Sequence, residues 1–92
     1  MPFEALAKKG GPLHYVYLME SVSHAGQRYV GCTNDLRARL DRHNSEDSPH
    51  TSKYIPWRLV TYVAFSSETQ AVAFERYLKS GSGHAFANRR LW

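Results

Sequence analysis

The chain has 92 residues, of which 42% are hydrophobic and 13% aromatic, so its composition excludes a disordered protein and supports one compact domain. No apolar run approaches the roughly 20 residues of a membrane-spanning helix, and the mean hydropathy is −0.52. Twelve Lys and Arg against eight Asp and Glu give a net charge of +4, which favours nucleic acid as a partner over acidic membranes.

Cysteine usage and the N-terminal sequence bear on the cellular compartment. The single cysteine, Cys32, excludes an internal disulfide, and no zinc-binding spacing is present. The opening stretch "MPFEALAKKGGP" lacks the long apolar segment that a signal peptide requires. We therefore expect a cytoplasmic protein with no membrane partner.

The first third of the chain predicts an arm followed by a β-hairpin. Residues 1–13 contain a Gly-Gly-Pro segment that cannot continue a helix, so we predict a flexible arm there and a single domain over residues 14–92. "HYVYLMES" predicts a strand with Val16 and Leu18 on one face and the tyrosines on the other. "RYVGC" predicts a second strand, joined to the first by a turn around Gly26.

The rest of the chain predicts three helices and a third strand. A helix "DLRARLDRHN" would be capped by Thr33 or Asn34. The strand "RLVTYVAF" does not alternate, so we expect it to be covered on both faces and to lie centrally. Ser67, with a glutamine three residues later, predicts a second helix that Gly81 would end, and a short helix over residues 84–90 follows. The order β-β-α-β-α-α predicts an α+β fold, a small three-stranded antiparallel sheet flanked by helices.

Charged residues occupy positions of two predicted helices where an amphipathic pattern requires apolar ones. The first helix places Arg39 and His43 on the stripe that begins at Leu36. Each also has an ordinary explanation: Arg39 can bury its stem and reach water, and His43 can interact with the helix C-terminus. The second helix places Glu75 on its apolar stripe, where a carboxylate must be paired with a cation, protonated or bound to a metal.

Together these side chains supply the chemistry of a metal-assisted phosphodiester hydrolysis. An arginine matches phosphate oxygens, and a carboxylate can hold Mg²⁺ together with waters and a substrate phosphate. A phenol or an imidazole can move a proton, and the hairpin adds Tyr17 and Tyr29 as phenols.

The order and spacing of these residues resemble the GIY-YIG nuclease superfamily. "YVY" at residues 15–17 stands in the GIY position, with Tyr15 in place of the first glycine, and "YVG" at residues 29–31 stands in the YIG position. The arginine, the histidine and the glutamate follow on the helices expected of the family. Gly31 would leave space beside the phenols for a phosphate or for the following helix. The ending "RYLKSGSGHAFANRRL" resembles the small, standalone bacterial members.

The resemblance implies an endonuclease that hydrolyses DNA with one divalent ion, Mg²⁺ or Mn²⁺, and without an organic cofactor. Glu75 would bind the ion, and Arg39 would hold the scissile phosphate. Tyr17 would position the attacking water or a phosphate oxygen. Either Tyr29 or His43 would accept the proton. The substrate stays open between branched, flapped and single-stranded DNA, in repair or in recombination.

Further residues are candidates for contact with the DNA backbone. The stretch "SPHTSKYIPWRLV" resembles a loop of small family members, which implies that Thr51 and Lys53 touch phosphate. Arg42, Arg89 and Arg90 add positive charge. A partner protein could deliver the substrate. The alternative to an enzyme is a nucleic-acid-binding or adaptor module that keeps the fold with little turnover, although every position of the catalytic set is filled.

Overall fold

The computed structural model describes residues 12–45 and 48–92, so nearly all of the predicted N-terminal arm lies outside the described residues. The elements are β1 (His14–Ser21), β2 (Arg28–Thr33), α1 (Leu36–His43), a short 3₁₀-helix (Ser52–Tyr54), β3 (Trp57–Phe65), α2 (Glu68–Leu78) and α3 (Gly81–Arg90). This order confirms the predicted α+β fold with its three-stranded antiparallel sheet. Each helix in the described ranges is too short or too polar to cross a bilayer.

The strand at the centre of the sheet is β1, because the strand order is β2-β1-β3. Residues 15–19 of β1 are each no more than 1% exposed. The prediction that β3 is central is therefore wrong. The register between β1 and β3 shifts between Leu18 and Met19, which leaves Val60 as an extra residue in β3. Such a bulge interrupts the alternation of faces, and this explains the irregular pattern from which a central strand was predicted.

The two faces of β1 contribute to two hydrophobic layers, as its alternating pattern predicts. Tyr15, Tyr17 and Met19 pack on the face covered by α1 and by the chain that leads into β3. Val16 and Leu18 pack on the opposite face, which α2 and α3 cover. The sheet thus separates α1 from the other two helices.

The start of α1 differs from the prediction because a carboxylate caps it. Asp35 is the N-cap, and its Oδ1 accepts a hydrogen bond from the Ala38 N–H at 3.1 Å. The predicted caps Thr33 and Asn34 are wrong. The Thr33 hydroxyl instead accepts a hydrogen bond from the Asp35 N–H at 3.0 Å, which fixes the turn between β2 and the helix.

The junction of α2 and α3 also differs from the prediction. Ser67 caps α2 as predicted, but the helix ends at Leu78. Gly81 does not terminate it, and is instead the first residue of α3. The reason is Ser80, whose hydroxyl accepts a hydrogen bond from the Gly83 N–H and so starts α3 three residues before the predicted position.

Gly31 makes room for the ring of Tyr17. The two residues lie opposite each other in the pairing of β1 with β2. A Cβ atom at Gly31 would lie 2.8 Å from Tyr17 Cε1 and closer still to the hydroxyl oxygen. The space at Gly31 therefore holds a phenol, and the expectation that a phosphate or the following helix would fill it is wrong.

We expect Gly31→Ala to lower the free energy of unfolding by about 2 kcal/mol, because a methyl group added to a filled site forces its neighbours to move. Urea denaturation measures the change. The matched control is Gly81→Ala, where the added Cβ would have no described atom within 4 Å apart from its chain neighbours and the backbone of its own helix, and a change within about 0.5 kcal/mol is expected. Equal effects of the two substitutions would contradict the assigned role of Gly31.

Candidate active site

The centre of the candidate site is a hydrogen bond between Tyr17 and His43. β1 directs Tyr17 toward the face that α1 covers, and His43 is the last residue of α1. The Tyr17 hydroxyl lies 2.9 Å from His43 Nε2. The two residues are only 1% and 5% exposed. The polar residue on the apolar stripe of α1 is thus a buried ring with a buried partner.

Tyr29 borders the same site from β2. Its ring stacks on that of Tyr17, with centroids 6.2 Å apart and an interplanar angle of 25°. Its centroid lies 4.8 Å from that of His43, with the rings tilted. The structure therefore brings the two predicted phenols and the imidazole into one cluster, in which Tyr29 packs against both other rings.

Arg39 and Glu75 approach the same edge of the sheet from helices on opposite faces. A guanidinium N–H of Arg39 donates to the Cys32 carbonyl near the end of the edge strand β2, at 3.5 Å. Burial raises the pKa of the Cys32 thiol, and the nearby negative charge of Glu75 raises it further. Both charged residues therefore lie near Cys32, the residue that follows Gly31 on β2.

Burial and charge give Tyr17 and His43 opposite protonation preferences. Burial raises the pKa of Tyr17 to about 12; Glu75 acts in the same direction, and Arg39 in the other. Burial lowers the pKa of His43 to about 4, and the cations Arg39 and Arg42 lower it too. At neutral pH the phenol therefore keeps its proton and the imidazole is neutral, so the imidazole is able to accept a proton.

Glu75 has the chemistry of a Mg²⁺ or Mn²⁺ ligand. Its carboxylate lies 2.9 Å from Lys79 Nζ, so the ion pair considered from the sequence does form. The Glu75 side chain is 22% exposed. Exposed pairs of this kind contribute only about 0.3–0.5 kcal/mol, so an ion could displace Lys79 at little cost. Within the described ranges, no three His, Cys, Asp or Glu side chains are grouped to hold an ion. A single carboxylate still fits Mg²⁺, which keeps several waters and binds substrate phosphate.

The residues predicted to contact DNA do not share one environment. Arg42 and Lys53 are exposed on α1 and on the 3₁₀-helix, and Arg89 and Arg90 are exposed at the end of α3. Thr51, by contrast, is only 2% exposed. A side chain so buried does not fit a phosphate contact.

Thr51 instead contacts the candidate catalytic histidine, a link that the sequence does not reveal. Its Oγ1 lies 3.1 Å from His43 Nδ1, on the far side of the ring from Tyr17. Thr51 and His43 are separated by a loop without periodicity, so no helical or strand pattern predicts their contact. The indole N–H of the buried residue Trp57 donates to the Thr51 carbonyl at 2.9 Å.

Comparison with known proteins finds one matching family model and several similar proteins. The family model of the GIY-YIG catalytic domain matches residues 13–88. The chain is also similar to a UPF0213 protein of Streptococcus pneumoniae serotype 4, with 35% identity over 66 residues that cover 71% of this chain and 65% of that protein. It is 40% identical over 81 residues to a structure-specific endonuclease subunit SLX1 homolog of Drosophila mojavensis, which covers 78% of this chain and 26% of that protein.

The similarity extends to a solved structure. The solution NMR structure of the UPF0213 protein BH0048 from Bacillus halodurans superposes with a TM-score of 0.51 and 30% identity, over 85% of each chain. The chain spans less than two thirds of the Streptococcus relative and about a quarter of the Drosophila relative. The range matched by the family model, residues 13–88, includes every residue of the candidate site.

We expect His43 to titrate with a midpoint near pH 4, well below its ordinary value of 6.5, because burial and two cations disfavour the imidazolium. Following the ring protons by NMR during a pH titration measures the midpoint. A midpoint at or above pH 6 would contradict the burial of this ring.

The same shift has a consequence for stability. Since the unfolded chain binds the His43 proton more tightly, the full stability is present above about pH 6.5 and falls as the pH drops toward 4, by up to about 3 kcal/mol. In His43→Gln this part of the pH dependence should vanish. Urea denaturation at several pH values provides the comparison.

Proposed function

Because the chain belongs to the GIY-YIG family, we propose that it is an endonuclease that hydrolyses DNA phosphodiester bonds with one divalent ion, Mg²⁺ or Mn²⁺. The similarity to homologs of the structure-specific endonuclease subunit SLX1 supports a substrate selected by its structure, such as branched, flapped or single-stranded DNA, in repair or recombination. The observation that carries the proposal is the buried hydrogen bond of Tyr17 with His43, close to the opposite charges of Arg39 and Glu75.

Arg39 provides the cation that would bind the scissile phosphate. Its side chain is half-buried and is tied to the edge strand at Cys32, so the guanidinium is positioned before substrate arrives. A guanidinium donates two parallel N–H groups to phosphate oxygens and stabilises the charge that develops on them. Arg42, exposed on the same helix, adds positive potential for the DNA backbone.

Tyr17 and His43 provide a route for the proton of the attacking water. A water at the Tyr17 hydroxyl gives its proton to Tyr17 Oη while the phenolic proton passes to His43 Nε2. The resulting hydroxide forms a bond to phosphorus, the bond from phosphorus to the leaving sugar oxygen breaks, and that oxygen takes up a proton from water. Tyr29 stacks on the Tyr17 ring and packs at a tilt against the His43 ring, so in this mechanism it positions them, and His43 is the final acceptor.

Glu75 would hold the divalent ion after releasing Lys79. Such an ion would supply positive charge to stabilise the phosphate oxygens. Glu75 stands near Tyr17, whose pKa its charge helps to raise, so the ligand lies near the proposed route of the proton.

Substitutions of these groups should remove cleavage of labelled branched, flapped and single-stranded DNA in Mg²⁺. We expect kcat to fall by about 10²–10³-fold in Arg39→Ala and by at least about 10²-fold in Tyr17→Phe and His43→Gln. Glu75→Gln and chelation of the metal should both remove detectable cleavage, because each removes the ion. Gel-resolved single-turnover cleavage measures these rates.

Matched controls separate the site from general effects of charge. Glu20→Gln removes another ion-paired carboxylate, 21% exposed, and Arg37→Ala removes an exposed cation of α1, so both should stay within about twofold of the parent rate. If the protein binds every substrate and cleaves none of them, the alternative of a nucleic-acid-binding or adaptor module is favoured. Cleavage unchanged in both Glu75→Gln and Arg39→Ala would indicate a contaminating nuclease.

DNA binding should raise the pKa of His43. Arg39 and Arg42 help to hold it low in the free protein, and a phosphate beside them offsets their charge. We expect the NMR midpoint of His43 to move from about 4 toward 6.5 when a short DNA is added without metal. An unchanged midpoint under saturating DNA would place the phosphate away from these two arginines.

A further inference from the structure

We propose that Thr51 is a positioning residue that holds His43 as the tautomer protonated at Nδ1, so that Nε2 is available to take the proton of Tyr17. Its consequence for catalysis rests on the nuclease function proposed above, whereas the tautomer itself does not. The proposal is supported by the two hydrogen bonds that the ring nitrogens of His43 make.

The two hydrogen bonds of His43 are coupled. Nε2 lies 2.9 Å from the Tyr17 hydroxyl, and Nδ1 lies 3.1 Å from the Thr51 hydroxyl. A neutral imidazole has one N–H donor and one acceptor nitrogen. If Thr51 accepts from Nδ1–H, Tyr17 donates to Nε2, and if Thr51 donates, Tyr17 must accept. The direction of one bond therefore sets the direction of the other.

Arg39 favours the arrangement in which Tyr17 donates. The guanidinium lies close enough to Tyr17 to lower its pKa, and a guanidinium has only donors. Arg39 can therefore only donate to the oxygen of the Tyr17 hydroxyl. The hydroxyl proton of Tyr17 then requires a different group as its acceptor. His43 Nε2 is in place to accept it at 2.9 Å. The Thr51 hydroxyl can rotate, so it can accept from Nδ1–H.

A network of three further hydrogen bonds fixes the position of Thr51. The indole N–H of Trp57 donates to the Thr51 carbonyl at 2.9 Å in a buried environment. The backbone N–H of Trp57 donates to Asn44 Oδ1 at 2.5 Å, and Asn44 Nδ2 donates to the Trp57 carbonyl at 3.0 Å. Asn44 is the C-cap of α1 and directly follows His43. The loop is thus anchored to the helix end that carries the imidazole.

The tautomer of the wild-type protein is the first test. Long-range ¹H–¹⁵N spectra of the uniformly labelled full chain, at neutral pH and without DNA or metal, distinguish a protonated ring nitrogen from an unprotonated one. The proposal requires His43 to be protonated at Nδ1 and not at Nε2. A spectrum with the proton on Nε2 overturns it, and this readout does not depend on nuclease activity.

Two substitutions of Thr51 form the second test. Thr51→Val keeps the shape and removes the hydroxyl, whereas Thr51→Ser keeps the hydroxyl and removes the methyl. With Mg²⁺ and DNA, we expect kcat to fall about tenfold in Thr51→Val with KM unchanged, and Thr51→Ser to stay within about threefold. The His43 spectrum of Thr51→Val should show both tautomers, and that of Thr51→Ser should match the parent.

The outcomes separate this proposal from the alternatives. A raised KM with unchanged kcat in Thr51→Val would indicate that Thr51 contacts the substrate phosphate, and would overturn the positioning role. Equal losses in the Val and Ser variants would also overturn it, because packing alone would then explain them. If Thr51→Val fails to fold, the tautomer of the wild-type protein and the behaviour of Thr51→Ser still test the proposal. A chain without nuclease activity but with Nδ1 protonated would refute the nuclease function and leave the tautomer assignment standing.

Discussion

The burial of His43 against Tyr17 is the constraint on which the rest of the site depends. An imidazole on an apolar helix stripe loses its hydration, and both ring nitrogens then need partners inside the protein. β1 provides a phenol for one nitrogen, and the loop before β3 provides the Thr51 hydroxyl for the other. The requirement for two buried hydrogen bonds therefore ties the central strand, the first helix and the following loop into one unit.

The edge position of β2 explains how groups from both faces of the sheet converge. A central strand would separate Arg39, on the helix of one face, from Glu75, on a helix of the other face. At an edge, side chains from both faces can approach each other past the last strand. Gly31 contributes because, with no side chain of its own, it lets the Tyr17 ring lie across β2. The glycine of the YIG position, Gly31, thus provides the space that the phenol ring of Tyr17 occupies.

The sequence predicts this fold well where one local pattern decides, and poorly where several elements interact. Alternation predicted the two faces of β1, and helical spacing predicted the stripe with Arg39 and His43. The central position of β3 was wrong because a bulge at Val60 imitates the pattern of a strand buried on both faces. The role of Thr51 was missed because its partner is contacted across a loop, where neither propensity nor periodicity carries information. The resemblance of its loop to one in small family members had suggested a phosphate contact.

The electrostatic effect of Arg39 and Arg42 on His43 differs between the free protein and the protein with bound phosphate. Without phosphate, Arg39 and Arg42 oppose protonation of His43, so the free protein keeps a neutral acceptor over almost the whole physiological pH range. In the proposed nuclease, an arriving phosphodiester would be attracted by these same charges and would partly offset them, which would make the imidazole more basic when a proton must be accepted. One pair of arginines can therefore serve both binding and proton transfer, because the substrate itself changes the electrostatic field at the base.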